Sequence, residues 1–119
     1  MTAEFMDLFA EEAAGHLAQL RRLCREPDTQ WQAAFVAAHT LKGSAAMLDV
    51  RGVQLVAAEL ERLLGGEPPN GSPAWLADAG IACEVLGAEL GDLRPGAAPS
   101  AAASDLCGRL RGYDSGGGP

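Results

Sequence analysis

Apolar residues in the opening segment recur every three or four positions, at Phe5, Leu8, Phe9, Ala13, Leu17, Leu20 and Leu23, and similar spacing returns in three later segments. This period draws one stripe along a helix and does not fit the two-residue alternation of a half-buried strand. Composition points the same way. Of the 57 residues in the AVILMFWYC class, Ala supplies 23 and Leu 16, whereas Val and Ile together supply 6 and the aromatics another 6. Strand formers are too scarce for a β-sandwich or a doubly wound sheet. A chain of 119 residues has room for one domain. The expected fold is all-α.

Breakers divide the chain. Thr2 is a candidate N-cap for the first helix and Pro27 its stop. With Asp28 as cap, a second helix is expected over about 29–48, burying Trp31, Ala34, Phe35, Ala38, Leu41, Ala45 and Leu48. Asp49 and Gly52 mark a tight break. A third helix carries Val53, Val56, Ala57, Leu60 and Leu64 and ends at Gly65-Gly66, before the loop signal Pro68-Pro69-Asn70-Gly71. Ser72-Pro73 then opens a fourth helix through Trp75, Leu76, Ala79, Cys83, Leu86 and Leu90. Four long segments with short connections predict an antiparallel four-helix bundle over 1–93. Residues 94–112 are expected to hold a small-residue linker and a short fifth C-terminal helix capped by Ser104, and 113–119 a disordered tail.

A formal charge of −7 argues against nucleic acid and anionic membrane surfaces as partners, because both call for a basic footprint. The opening MTAEFMDLFAEE has acids where a signal peptide carries bases, and no apolar run approaches about 18 residues. Cys24, Cys83 and Cys107 form no CxxC pair and read as free thiols filling the core of a protein kept in a reducing compartment. The expectation is a cytoplasmic monomer with no metal site and no cofactor of its own.

On the second helix, His39, Lys42 and Gly43 stand at i, i+3 and i+4 and so share one face. At about 100° per residue, Leu41 and Leu48 lie roughly opposite His39, while Val36, Gly43, Ala46 and, at the edge, Phe35 surround it. An exposed face of an acidic protein is ordinarily written in Glu, Arg or Gln, so Val, Gly and Ala here suggest a docking surface. Mid-helix Gly costs about 1 kcal/mol relative to Ala, which suggests that something comes close to the imidazole. Lys42 is the only lysine in the chain, against eight arginines, and offers a mobile point charge suited to a phosphoryl group. Histidine is itself a competent nucleophile near neutral pH.

The segment AAHTLKGSAAM resembles the phosphoacceptor motif of histidine phosphotransfer (HPt) domains, closest to those at the N-terminus of chemotaxis-type histidine kinases. The resemblance extends over roughly the first 90 residues, through EFMDLFAEEAAGHLAQL and AAELERLL. It implies that His39 receives a phosphoryl group on Nε2 from a histidine kinase and passes it to an aspartate on a response-regulator receiver domain. It further implies that Lys42 is the phosphate-side base, that Gly43 permits approach, and that Glu61 accepts a hydrogen bond from Nδ1. ATP and Mg²⁺ are then expected on the partners only, and the chain is a phosphocarrier and not an enzyme. The sequence departs from the chemotaxis-kinase pattern at Asp49, where a glycine usually ends the motif helix, and at Ala58, where a second histidine often stands.

Simpler readings stand beside these. Glu61 pairs with Arg62 or Arg51 as an ordinary surface carboxylate, and Phe35 and Met47 serve bundle packing instead of joining Val36 and Ala46 as partner-docking residues. His16 is structural, and Trp31 and Trp75 are core anchors. The competing functions are a helical interaction module that binds or sequesters a signalling partner without phosphotransfer, and a detached kinase phosphoacceptor domain.

Overall fold

The computed structural model describes residues 3–66 and 73–113. It contains five helices: α1 (Ala3–Arg25), α2 (Pro27–Met47), α3 (Arg51–Leu64), α4 (Pro73–Gly91) and α5 (Ala101–Leu110). The first four form a square antiparallel bundle. α1 packs on α2 and α4, α3 packs on α2 and α4, and Trp31 of α2 reaches across the core to stack on Trp75 of α4, with ring centroids 5.3 Å apart. α5 lies against α3 and α4, and its Ala103, Leu106, Cys107 and Leu110 join the same core as Leu20, Leu41, Leu60 and Leu86. The fifth helix is thus part of the domain's core and not an appendage beyond residue 93.

Helix ends differ from the sequence expectation where proline and serine are involved. α2 starts at Pro27, not after Asp28, with Glu26 at the cap position; the amides of Thr29 and Gln30 bond the Glu26 carbonyl at 3.2 and 3.1 Å. Proline suits a first helical position because its ring presets φ and its missing N–H has no intrahelical partner to lose there. Asp28 consequently sits in the first turn, where its charge favours the helix dipole. α5 is capped by Ser100, not Ser104: Ser100 Oγ accepts from the Ala103 amide at 3.1 Å. Three consecutive alanines after a good cap extend the helix backwards to Ala101. The expected caps Thr2 and Ser72 and the expected tail over 114–119 lie outside the described residues.

Tyr113, expected in the tail, is half-buried, and its hydroxyl donates to Asp78 Oδ2 at 2.8 Å. Arg62 of α3 donates to the Leu110 and Tyr113 carbonyls at 3.0 and 3.2 Å, placing a cation at the carbonyl-rich end of α5. Between α2 and α3, Asp49 adopts φ +56°, and its carbonyl accepts from the Gly96 amide at 2.8 Å. The left-handed region is tolerated by Asp more readily than by most residues, so Asp49 makes the turn at the position where the resembling family has glycine. Gly52 follows in α3, where a Cβ would collide with the Glu89 carboxylate of α4.

Candidate functional site

His39 lies in the middle of α2 with its side chain 66% exposed, while Leu41 on the opposite face is fully buried. The α2–α3 pairing is antiparallel. Trp31 Nε1 donates to the Leu64 carbonyl at 2.8 Å near the start of α2, and the Val50 amide bonds the Ala45 carbonyl at 2.9 Å at its far end. Between these anchors, Glu61 faces His39 and Lys42. It sits one position from buried Leu60, at the edge of the α3 stripe, and so points along the seam between the helices. Arg62 and Arg51 do not compete for it, because Arg62 pairs with Glu59 and Arg51 with Asp49.

His39 Nδ1 stands 2.6 Å from Glu61 Oε2, and Lys42 Nζ stands 2.6 Å from Glu61 Oε1. A carboxylate only accepts, so the proton belongs on Nδ1, whose N–H donates to Glu61 and leaves the Nε2 lone pair free. The hydrogen bond from Lys42 is the largest influence holding the Glu61 carboxyl below its ordinary 4.5; the bond from His39 and the Lys42 charge act in the same direction, and partial burial opposes them. Phe35, one turn before His39, is half-buried. Its ring stacks on the imidazole with centroids 6.3 Å apart at 16° and reaches the end of α3 at Gly65. Phe35 therefore backs the imidazole more than it presents a surface.

On the other side of His39 the helix faces α1 and is apolar. Val36 is 51% and Met47 84% exposed, with Ala46 and Gly43 also open. Sequence reasoning missed two members of this face: Phe5 and Leu8, expected in the α1 core stripe, are 60% and 52% exposed. Leu8 stands about 100° round the helix from buried Phe9, which was a legible signal. Phe5 falls on the stripe but sits level with the last turn of α2, where, among the described residues, no further helix covers it. With Phe9, Glu12, Ser44, Met47 and Leu48, these two line a shallow groove of about 150 Å³. A Cβ on Gly43 would meet nothing within 4 Å, so the fold itself does not require glycine there. Among the described residues no three His, Cys, Asp or Glu side chains gather as a metal site, and no helix is long and apolar enough to cross a membrane.

The family model of the Hpt domain matches residues 4–96, which takes in α1 to α4 and leaves α5 beyond it. The chain belongs to the Hpt domain family and is a histidine phosphotransfer module of the kind used in phosphorelays, a carrier class distinct from kinases. No curated protein and no solved structure gives a significant match.

The lowered carboxyl of Glu61 gives a pH prediction. Because its native pKa lies below the unfolded value, the stability it contributes is present above the ordinary carboxylate pKa of 4.5 and is lost as pH falls through the native value. The stability difference between wild type and Glu61→Gln in urea unfolding is expected to persist down to that range and to shrink at more acid pH. A difference that stayed undiminished at the acid end would contradict the ionised network.

Proposed function

We infer that His39 accepts a phosphoryl group on Nε2 from a histidine kinase and donates it to the aspartate of a receiver domain. The observation that carries this reading is the 2.6 Å contact of Nδ1 with Glu61, which leaves Nε2 as the free nucleophile of an exposed ring. In the first step Nε2 attacks the γ-phosphorus of kinase-bound ATP; an N–P bond forms, and the P–O bond to ADP breaks. The ring becomes cationic, and its Nδ1–H stays on Glu61, which stabilises that charge. In the second step the receiver carboxylate attacks phosphorus, and the N–P electron pair returns to Nε2. Lys42 rests on Glu61, and its flexible stem lets the ammonium turn toward the phosphoryl oxygens once they arrive. Nucleotide and Mg²⁺ are assigned to the partners.

Partner docking is assigned to the apolar face of Val36, Ala46 and Met47, extended by Phe5 and Leu8, with Gly43 as the point of close approach. The chain acts as a cytoplasmic monomer, the form that leaves this face open to kinase and receiver in turn. The test is a phosphorelay reconstituted with a labelled kinase and a receiver domain. The expected result is an acid-labile, base-stable label on this chain that moves to the receiver on its addition. Label that never leaves for any receiver, or a folded protein that takes none, would turn the reading toward a binding module.

A further inference from the structure

Away from His39, two of the three cysteines face each other. α1 and α4 run antiparallel, and their register is fixed where a Cβ on Gly87 would stand 3.4 Å from Arg21 Nη2 and 3.8 Å from Leu17 Cδ2. One turn further along α1 is Cys24, and one turn back along α4 is Cys83. The two thiols are thus neighbours across the α1–α4 seam, close enough for each to shift the other's titration, and both are free. Their surroundings differ. Cys83 is 4% exposed in the core, while Cys24, in the last turn of α1, is partly open to solvent. Cys107 is buried on α5, with burial and Glu59 raising its thiol pKa.

We propose that Cys24 and Cys83 form a peroxide-reactive dithiol, in which Cys24 is oxidised by hydrogen peroxide and Cys83 closes an intramolecular disulfide. The Cys24 thiolate attacks one peroxide oxygen; the S–O bond forms, the O–O bond breaks, and the departing hydroxide takes up a proton to become water. Cys83 sulfur then attacks the Cys24 sulfenic acid. The S–S bond forms, the S–O bond breaks, and the hydroxyl leaves as water with the Cys83 proton. Two thiols lose two electrons, and one peroxide becomes two waters.

The division of labour follows from the environment. The neighbouring Cys83 thiol is the largest influence drawing the Cys24 thiol down to about 7, Arg25 assists, and burial opposes. The same proximity, with burial, pushes Cys83 up and keeps it protonated. A reactive, accessible thiolate beside a protonated resolving thiol is the arrangement that favours stepwise oxidation to a disulfide. In a reducing compartment such a bond is transient.

The test uses the whole, fully reduced protein exposed to hydrogen peroxide at neutral pH, then alkylated and weighed intact. Wild type is expected to lose the mass of two hydrogens, to keep only Cys107 alkylatable, and to yield a Cys24–Cys83 linked peptide pair without intermolecular dimers. Cys83→Ser is expected to leave a sulfenic acid on Cys24 that dimedone captures. Cys24→Ser is expected to leave Cys83 unoxidised, and His39→Gln to oxidise like wild type. Before oxidation, Cys24 is expected to react with iodoacetamide roughly tenfold or more faster than Cys107. The proposal is overturned by retention of three alkylatable thiols where free dithiothreitol is fully oxidised, by a disulfide that includes Cys107, or by disulfides formed only between molecules. Wild type alone decides among these outcomes, so the proposal stands or falls even where a variant folds poorly.

Discussion

His39→Gln is expected to abolish acid-labile phosphorylation while leaving the bundle intact. The side chain is 66% exposed on a helix whose buried face lies opposite, and glutamine is at least as good a helix former as histidine. Glu61 keeps its 2.6 Å bond from Lys42 when the imidazole is gone, so no buried charge is stranded. Stability is therefore expected to change by no more than about 0.5 kcal/mol, the range for exposed substitutions away from caps and core. The loss of label is expected to be complete, because a carboxamide has no nucleophilic nitrogen with an in-plane lone pair. Labelling with phosphoramidate, followed by brief acid treatment, makes the comparison without any partner, and thermal unfolding monitored by circular dichroism checks the fold. Label persisting at the wild-type level would move the phosphoacceptor to His16, the other histidine, which lies half-buried on α1.

The reason His39 is open was legible in the sequence from its angle to Leu41 and from the small residues around it. The approach of Glu61 was legible only as an edge position next to Leu60, because which seam an edge residue enters depends on how α3 is rotated against α2. That rotation is set by contacts far apart in the chain: Trp31 on the Leu64 carbonyl, the turn at Asp49, and Arg62 on the end of α5. None of these follows from periodicity. Phe5 shows the opposite failure, since its periodicity is right and its burial is wrong. A stripe records what a helix offers to its neighbours, and at this end of the bundle no neighbour among the described residues covers Phe5. The start of α2 at Pro27 and the cap of α5 at Ser100 were missed for a local reason. In each place two residues compete for the cap, and a proline at the first helical position or a run of alanines decides in favour of the earlier one.

Gly43 separates the chemistry of the imidazole from the docking of a partner. Within the free protein a Cβ at this position meets nothing within 4 Å, so Gly43→Gln is expected to fold normally and, by helix propensity, to gain stability by about 0.5 kcal/mol. Phosphoramidate is small enough to reach Nε2 past the new side chain, and labelling by it is expected to be retained. A receiver domain must instead bring its aspartate pocket against the α2 surface within bonding distance of Nε2. A side chain one turn away that holds the two surfaces about 1 Å too far apart costs ~100-fold in such a reaction. Transfer to the receiver is therefore expected to fall ~100-fold or more for Gly43→Gln, with Gly43→Ala between it and wild type. Stability and function move in opposite directions, which distinguishes a position kept small for a partner from one kept small for packing. Equal losses with phosphoramidate and receiver would place the effect on the imidazole itself, and undiminished receiver transfer would show that the partner approaches His39 from another side. The glycine then has no role that its neighbours Val36 and Met47 share, and the docking face narrows to the α1 side of the groove.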